Sequence, residues 1–427
     1  MFENLLEAEK RLLETCQKGE LLNLSKQTIP HKKIRGEFLR WLILNNTKQI
    51  RIDNQNSTLT IDPRGVRFDG AQIIGEFDFS FCETHLPFYF TNSTFQKKIN
   101  LSDSKIRFLT LRGSSVLSIN AQRLICKGSV FLDETFEAIG QVNFGSAQIG
   151  KKLVLSELRI KGDCILSSAK VDSIKEDEMF WEKNGFGKLY LDGLVYNHLQ
   201  GSNLDALSRK KWLNAMPQFE PQPYKQLAKV LHTMGHHRDA DAIMISYNTV
   251  LTKKNENKIS FFLRSIYRIT AGYGYKPINI FFTMMSMWLF CGTVYFGVSK
   301  VAVFAPSNPL IFQKKAYYEC NVSDKGTPFL NILHWNDYNT TNNWTANTNV
   351  DGEYTTFSPF WYSLDILLPI VDLQMDKDWG VFIPPGSDSL TLNHVTRWLI
   401  WIEIIFGWIY SLVLVAILSG LAKNEKD

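Results

Sequence analysis

Before Pro277 the 427-residue chain lacks any long uncharged apolar stretch, so its larger part reads as a soluble, mixed-charge protein. No leader is expected either: Met1 to Lys10 carries Glu3, Glu7 and Glu9 where a basic region and an apolar run would be needed, and the N-terminus is expected to stay in the cytosol. Cysteine is sparse. Of six, Cys16, Cys82, Cys126 and Cys164 fall at apolar repeat or helix positions, Cys291 falls in an apolar span, and only Cys320 falls in a segment expected to face outward. One cysteine there cannot close an intrachain disulfide, so reduced thiols are expected. A net charge of +5 is too small at this length to argue by itself for an anionic partner. No Gly-rich phosphate loop follows a strand, no nucleophile elbow occurs, and Cys and His do not cluster, so no enzyme, cofactor or metal is expected.

The first pattern present is helical. Leu5, Leu6, Leu12, Leu13, Leu21 and Leu22, then Ile34, Phe38, Leu39, Trp41 and Leu42, recur at helical spacing over residues 1 to about 48. This segment is expected to cap the domain after it. From Asp62 the pattern becomes short alternating strands separated by Gly, Ser, Asp and Asn.

Within those strands Phe68, Phe79, Phe90, Leu101, Leu111, Ala121, Leu132, Phe144, Leu155 and Leu166 recur at steps of ten to twelve residues. Three residues after each comes a mostly small residue, among them Ala71, Cys82, Ser93, Ser104, Ser114, Ala147 and Ala169. Five residues after comes an apolar one in most units, such as Ile73, Phe95, Ile106, Val116 and Ile149, with misses at Thr84 and Glu137. A solenoid needs this motif, because inward side chains must stack on their equivalents in neighbouring coils. Two units make one coil of about 22 residues. The acidic stretch from Glu176 to Lys188 interrupts the run, and Leu189, Leu191, Leu194 and Tyr196 add one more unit. A right-handed β-helix over about residues 62 to 197 is expected; the rival is an irregular all-β domain with evenly spaced strands.

After Asn203, Leu207 to Leu251 reads as a basic αα-hairpin broken at Pro217, Pro221 and Pro223, with Gly235 as a helix stop. His232 and His236 have metal-ligand spacing on a helix, but no carboxylate or cysteine stands beside them at ligand spacing, so ordinary surface or capping histidines are expected. Thr270-Ala271-Gly272-Tyr273-Gly274-Tyr275 looks like a potassium filter yet precedes the first apolar span, where no filter can work, and reads as a loop at a membrane interface.

Pro277 to Val298 carries no charge, and Trp398 to Ala422 carries only Glu403 until its end; both meet the roughly 20-residue length for crossing a bilayer. Lys258, Arg264, Arg268 and Lys276 precede the first and Lys423 and Lys426 follow the second, whereas the connector is acidic, which puts both termini in the cytoplasm. In the connector, Phe357 to Asp372 is too short to span and too apolar for an exposed loop. A half-helix dipping into the membrane fits, starting near Ser358 or Pro359 and ending near Pro369; the rival is an amphipathic helix lying on the bilayer. A re-entrant segment implies subunits around a central pore.

Span, pore helix, span resembles the two-transmembrane ion-channel module, without the Gly-Tyr-Gly ladder of its potassium-selective branch: Leu367-Leu368-Pro369-Ile370-Val371-Asp372 follows the half-helix instead. Pro221-Gln222-Pro223-Tyr224, Gln226-Leu227-Ala228, Gly235-His236 and Gly272 to Pro277 resemble the neck of bacterial proteins that join a pentapeptide-like β-helix to a two-span channel. The architecture is similar to that of the membrane effectors of Hailong anti-phage systems. That resemblance implies an anion (chloride) channel, a homo-oligomer such as a tetramer in the bacterial inner membrane, and control by oligodeoxyadenylate made by a partner nucleotidyltransferase.

The expected fold class is therefore a multidomain membrane protein: an N-terminal helical cap (1–50), a β-helix sensor (51–203), a helical hairpin neck (204–260) and a two-span channel domain (261–427) with a pore loop at 357–372. Candidate pore residues are Ser363, Asp365, Pro369, Val371, Asp372, Glu403 and Phe406. A ring of Asp372 would favour cations, against the resemblance, unless it pairs with Lys377. Glu403 should face the bundle interior or the conduction path, and Phe406 is a candidate constriction. An anionic ligand is expected at His31, Lys32, Lys33, Arg35 and Arg40, the best local basic cluster beside the repeat; the rival there is a solvated helix face. The alternative function is a membrane-anchored β-helix scaffold that does not conduct.

Overall fold

The computed structural model describes residues 5–46, 48–52, 55–177, 187–201, 204–254, 257–308, 344–346, 355–383 and 390–419. Cys320, Lys423, Lys426, much of the expected acidic connector and most of the acidic stretch after Glu176 lie outside these. The chain divides into two compact units, Met1–Tyr247 and Asn248–Asp427.

The first unit is built on a parallel β-solenoid of about six turns, each of two faces stacking six strands. Phe77, Ile99, Ile119, Val142, Cys164 and Leu189 pair in succession along one face, at steps of 20 to 25 residues, so each coil holds two sequence units. Phe68, Phe77, Phe79, Phe88 and Phe90 are fully buried. Phe68 and Phe90 stack with ring centroids 4.5 Å apart and Phe77 meets Phe90 edge-on at 5.8 Å. Burial of each such ring contributes about 1.5–3 kcal/mol.

A column not singled out in the sequence completes the repeat. Two residues after each stacked apolar position the backbone is left-handed: Gly70, Phe81, Asn92, Asp103, Gly113, Arg123, Glu134, Ser146, Glu157, Ser168 and Gly193 all have positive φ. For a residue with a Cβ this costs about 1–2 kcal/mol. Coil-to-coil bonds at the same corners offset it, such as Asp103 N to Gln122 O at 2.9 Å and Ser146 N to Ser167 O at 2.8 Å. Polar side chains also run in register: Asn120 donates to Asn100 at 3.1 Å and Asn100 to Asp78 at 3.0 Å.

The solenoid begins earlier than its alternation indicates. Helices α1 (Glu7–Lys18) and α2 (Gly36–Leu44) form as expected, but Leu22–Asn23 pairs with Phe68–Asp69 and Lys33–Arg35 with Gln72–Ile74. The N-terminal segment thus supplies strands to two sheets. Its strands are too short to show period-two alternation. An antiparallel hairpin, Lys48–Ile52 with Gln55–Leu59, is inserted before the regular coils.

Helices α3 (Ala206–Asn214), α4 (Pro221–Thr233) and α5 (His237–Lys254) come next. Buried Arg209 of α3 pairs with buried Glu176 of the solenoid. Burial pulls the guanidinium down to about 10, which leaves it charged at neutral pH.

The second unit holds α6 (Lys258–Ala271), α7 (Pro277–Ser299), α8 (Pro359–Leu367), the short α9 (Met375–Asp378) and α10 (Leu392–Leu418). Helices α7, of 23 residues, and α10, of 27, are long and apolar enough to cross a membrane. Helix α10 starts six residues before the expected Trp398, because Thr391 and His394 cap it.

Candidate functional site

Two places gather residues with chemistry, one in each unit. In the second unit α8 packs against both long helices, and two glycines permit the approach. A Cβ on Gly407 of α10 would lie 2.1 Å from the Leu367 carbonyl oxygen, and one on Gly292 of α7 would lie 2.5 Å from the Phe360 ring. Trp288 Nε1 donates to Phe360 O at 2.8 Å. At the centre sits Glu403, fully buried, accepting from Ser363 Oγ of α8 at 2.5 Å and from Tyr295 Oη of α7 at 2.6 Å. One carboxylate therefore ties three helices together, with Tyr295, Phe304 and Tyr362 packed edge-on around it.

Beyond α8 the chain turns back on Asp365, whose carboxylate accepts from Leu373 N at 2.7 Å and Asp376 N at 3.0 Å. Asp372 is exposed and pairs with Lys377, which holds its carboxyl below the usual range. Burial first, then Asp365 and Asp372, push Asp376 up. The three carboxylates converge within 4.8 Å, the one cluster among the described residues that could hold a cation, but Asp365 and Asp372 already have partners. Pro369 and Val371 lie on the partly open loop between them, and Phe406, one turn on from Glu403 in α10, stacks on Tyr410 at 4.2 Å. Ser363 and Glu403 thus come together in the helix core, and Asp365 comes together with Asp372 beside the loop that carries Pro369 and Val371, while Phe406 is bonded to neither pair.

In the first unit the basic cluster near the cap is engaged internally. His31 meets Glu7, Lys32 Nζ donates to Ser25 O at 2.9 Å, and Arg40 donates to Asp78 O at 2.9 Å. Arg35 donates from Nε at 2.9 Å and Nη2 at 2.6 Å to the buried Glu9, and Lys33 lies in the strand beside Gln72. Three of these cations bond within residues 7–35, and Arg40 donates from its side chain to the regular coils.

A different basic surface lies along successive coils. A groove of about 880 Å³ is lined by Arg64, Arg67, Arg107, Lys127 and Lys151 with Tyr89 and Phe108, and no carboxylate among the described residues lines it. Arg107, Gly128 and Lys151 occupy equivalent corners, joined by Gly128 N to Arg107 O at 2.8 Å and Lys151 N to Gly128 O at 3.1 Å. Coil stacking spaces such positions by about 4.8 Å. Arg107, Lys127 and Lys151 have no ion pair among the described residues, and Arg67 Nε is buried without an acceptor among them. Beside the cations runs an aromatic row, with Tyr89 to Phe108 at 4.9 Å and Phe108 to Phe131 at 5.4 Å, and the Arg67 guanidinium 5.1 Å over Tyr89.

Protein-family models, curated proteins and solved structures were compared with the chain, and none matches.

The groove escapes a reading of local sequence because its cations are some twenty residues apart. The signal that finds them is charge at the two-unit period, His85, Arg107, Lys127 and Lys151, rather than charge in a run. Cations in a file beside stacked rings can bind a chain of phosphates while bases lie on the aromatics.

Proposed function

We propose that the protein is a subunit of an oligomeric, ligand-gated ion channel of the bacterial inner membrane, with α7 and α10 crossing the bilayer and α8 as a re-entrant pore helix. The solenoid is the sensor, and its ligand is a single-stranded oligonucleotide held in the Arg107, Lys127 and Lys151 groove. The observation that carries the reading is the Glu403 brace. A carboxylate at the centre of a membrane span costs about 2.5–3.5 kcal/mol unless a partner receives it, and a helix that only anchored the solenoid would have no use for one. Here the partners are a hydroxyl on α8 and one on α7, so the charge fixes a short helix beside two long ones.

Helix α8 rises about 14 Å at 1.5 Å per residue, half of a hydrocarbon core of about 30 Å. A helix of that length that starts outside must end at mid-membrane, where its backbone needs protein or water around it. A closed ring of subunits, such as a tetramer, supplies both. Pairing of Asp372 with Lys377 removes the reason to expect a cation-attracting ring, and we assign anion conduction.

Planar-bilayer recording of the purified chain tests this. Reversal potentials should follow the chloride gradient, and a short oligodeoxyadenylate should change the current. Replacing Arg107, Lys127 and Lys151 together by Gln should lower the slope of log affinity against log salt by about 2, at roughly 0.7 per phosphate contact. Silent bilayers from correctly inserted protein would leave the solenoid as an anchored scaffold.

A further inference from the structure

Helix α6 precedes α7, and its five largest apolar residues on one face are bare. Ile259, Phe262, Leu263, Ile266 and Ile269 recur at helical spacing, and all are exposed. Arg264 and Arg268 take the opposite side. From Asn257 to Lys300 the sequence has Lys258, Arg264, Arg268, Lys276 and Lys300 and no Asp or Glu. The elbow that joins α6 to α7 is set: Tyr273, with φ of 57°, is buried, and its Oη lies 2.9 Å from Thr252 Oγ1.

In the angle of that elbow lies a groove of about 560 Å³. Ile269 of α6, Phe282 and Phe290 of α7 and Phe406 of α10 line it. The threonine hydroxyls along it bond their own helices, Thr270 to Ile266 O at 2.9 Å and Thr283 to Asn279 O at 2.7 Å. From Asn279 to Phe290 the groove follows α7 for about 16 Å at 1.5 Å per residue. That is one leaflet of a hydrocarbon core of about 30 Å.

We propose that α6 and this groove form a binding site for an anionic phospholipid of the cytoplasmic leaflet. With the apolar face of α6 in the hydrocarbon, Arg264, Arg268 and Lys276 stand at headgroup level outside the groove and attract the headgroup, and one acyl chain lies along Phe282 and Phe290. Charge selects the occupant: a second copy of the chain would bring the same cations against themselves, whereas an anionic headgroup neutralises them. The inference rests on the reading that α7 and α10 span a membrane.

The full chain in mild detergent, titrated with fluorescent phosphatidylglycerol or phosphatidylcholine, tests it. The wild type should bind phosphatidylglycerol at least tenfold more tightly. Arg264→Gln and Arg268→Gln should each weaken that binding about fivefold, at about 1 kcal/mol per basic residue near the headgroups, and leave phosphatidylcholine unaffected. Ser286→Trp, which fills the groove, should weaken both lipids. Equal binding of the two lipids by the wild type would overturn the proposal. So would a Ser286→Trp variant that keeps its lipid but loses its oligomer, since the groove would then belong to a second copy. Alkaline carbonate distinguishes the underlying reading: release of the protein from membranes overturns the spans and the site together, whereas retention with no headgroup preference overturns the site alone.

Discussion

The solenoid and the helical unit solve the same packing problem in opposite ways. Each solenoid contact is made many times: Phe68 stacks on Phe90 as Ile99 pairs with Ile119, and the left-handed corner returns at every unit. In the helical unit each contact occurs once. Gly407 admits Leu367, Gly292 admits Phe360, and Glu403 ties Ser363 to Tyr295. Repetition distributes stability over equivalent positions, whereas single contacts concentrate it in a few residues that a function can use.

The sharpest way to break this contrast is to bury a charge in the repeat. Phe90→Asp should leave no folded solenoid, because a buried unpaired carboxylate must either stay charged in an apolar stack or take up a proton at a cost of several kcal/mol. Circular dichroism on heating should show no cooperative transition, and a parent-like melt would mean that the stacking register is wrong. Next in size is a buried ion pair of the first unit that no coil repeats. Arg209→Met strands the Glu176 carboxylate and should cost about 3–5 kcal/mol in urea unfolding. Replacing Glu176 by Leu as well should restore most of it. A double variant as weak as the single one would show that the pair does more than cancel its own charges.

Residues whose role repeats were the legible ones. The columns at Phe68 and Ala71 predict the coils, and the uncharged run from Pro277 predicts α7, since both depend on a pattern or a length. The half-helix bounds were legible for the same reason: Pro359 starts it and Leu368-Pro369 stops it. The left-handed column was hidden because Phe, Asn, Asp, Arg, Glu and Ser occupy it as well as Gly, so no residue type marks it. The strand at Leu22–Asn23 was hidden by its length, and the groove cations by their separation. Glu403 was legible as a misfit in an apolar run, but its partners Ser363 and Tyr295 stand 40 and 108 residues away, which no local pattern reaches.

The helical unit allows the same single-against-double comparison. Glu403→Leu removes the acceptor of two hydroxyls, but Ser363 Oγ has a second acceptor in Trp288 O at 3.2 Å, so only Tyr295 is left without one. A buried unsatisfied hydroxyl costs about 1–3 kcal/mol, and adding Tyr295→Phe should recover that part in a detergent melt. If the double variant is the weaker, the carboxylate has a role besides its two bonds, such as contact with water in a pore.

The smallest effect bears most directly on repetition. If the corner requires a left-handed backbone and not a particular residue, substitutions at equivalent corners should have opposite signs. Gly113→Ala puts a Cβ on a backbone with φ of 63°, 2.1 Å from Asn92 Oδ1. The left-handed conformation costs about 1–2 kcal/mol for alanine. The Asn92 side chain can turn aside, so the backbone term should dominate. Ser146→Gly, at φ of 57°, relieves that strain and raises the entropy of the unfolded chain by about 0.5–1 kcal/mol, so a net gain of under about 1 kcal/mol should remain. Urea midpoints of the two variants should therefore move in opposite directions around the parent. Movement in the same direction would mean that the corners differ from coil to coil, and that the solenoid is less repetitive than its sequence.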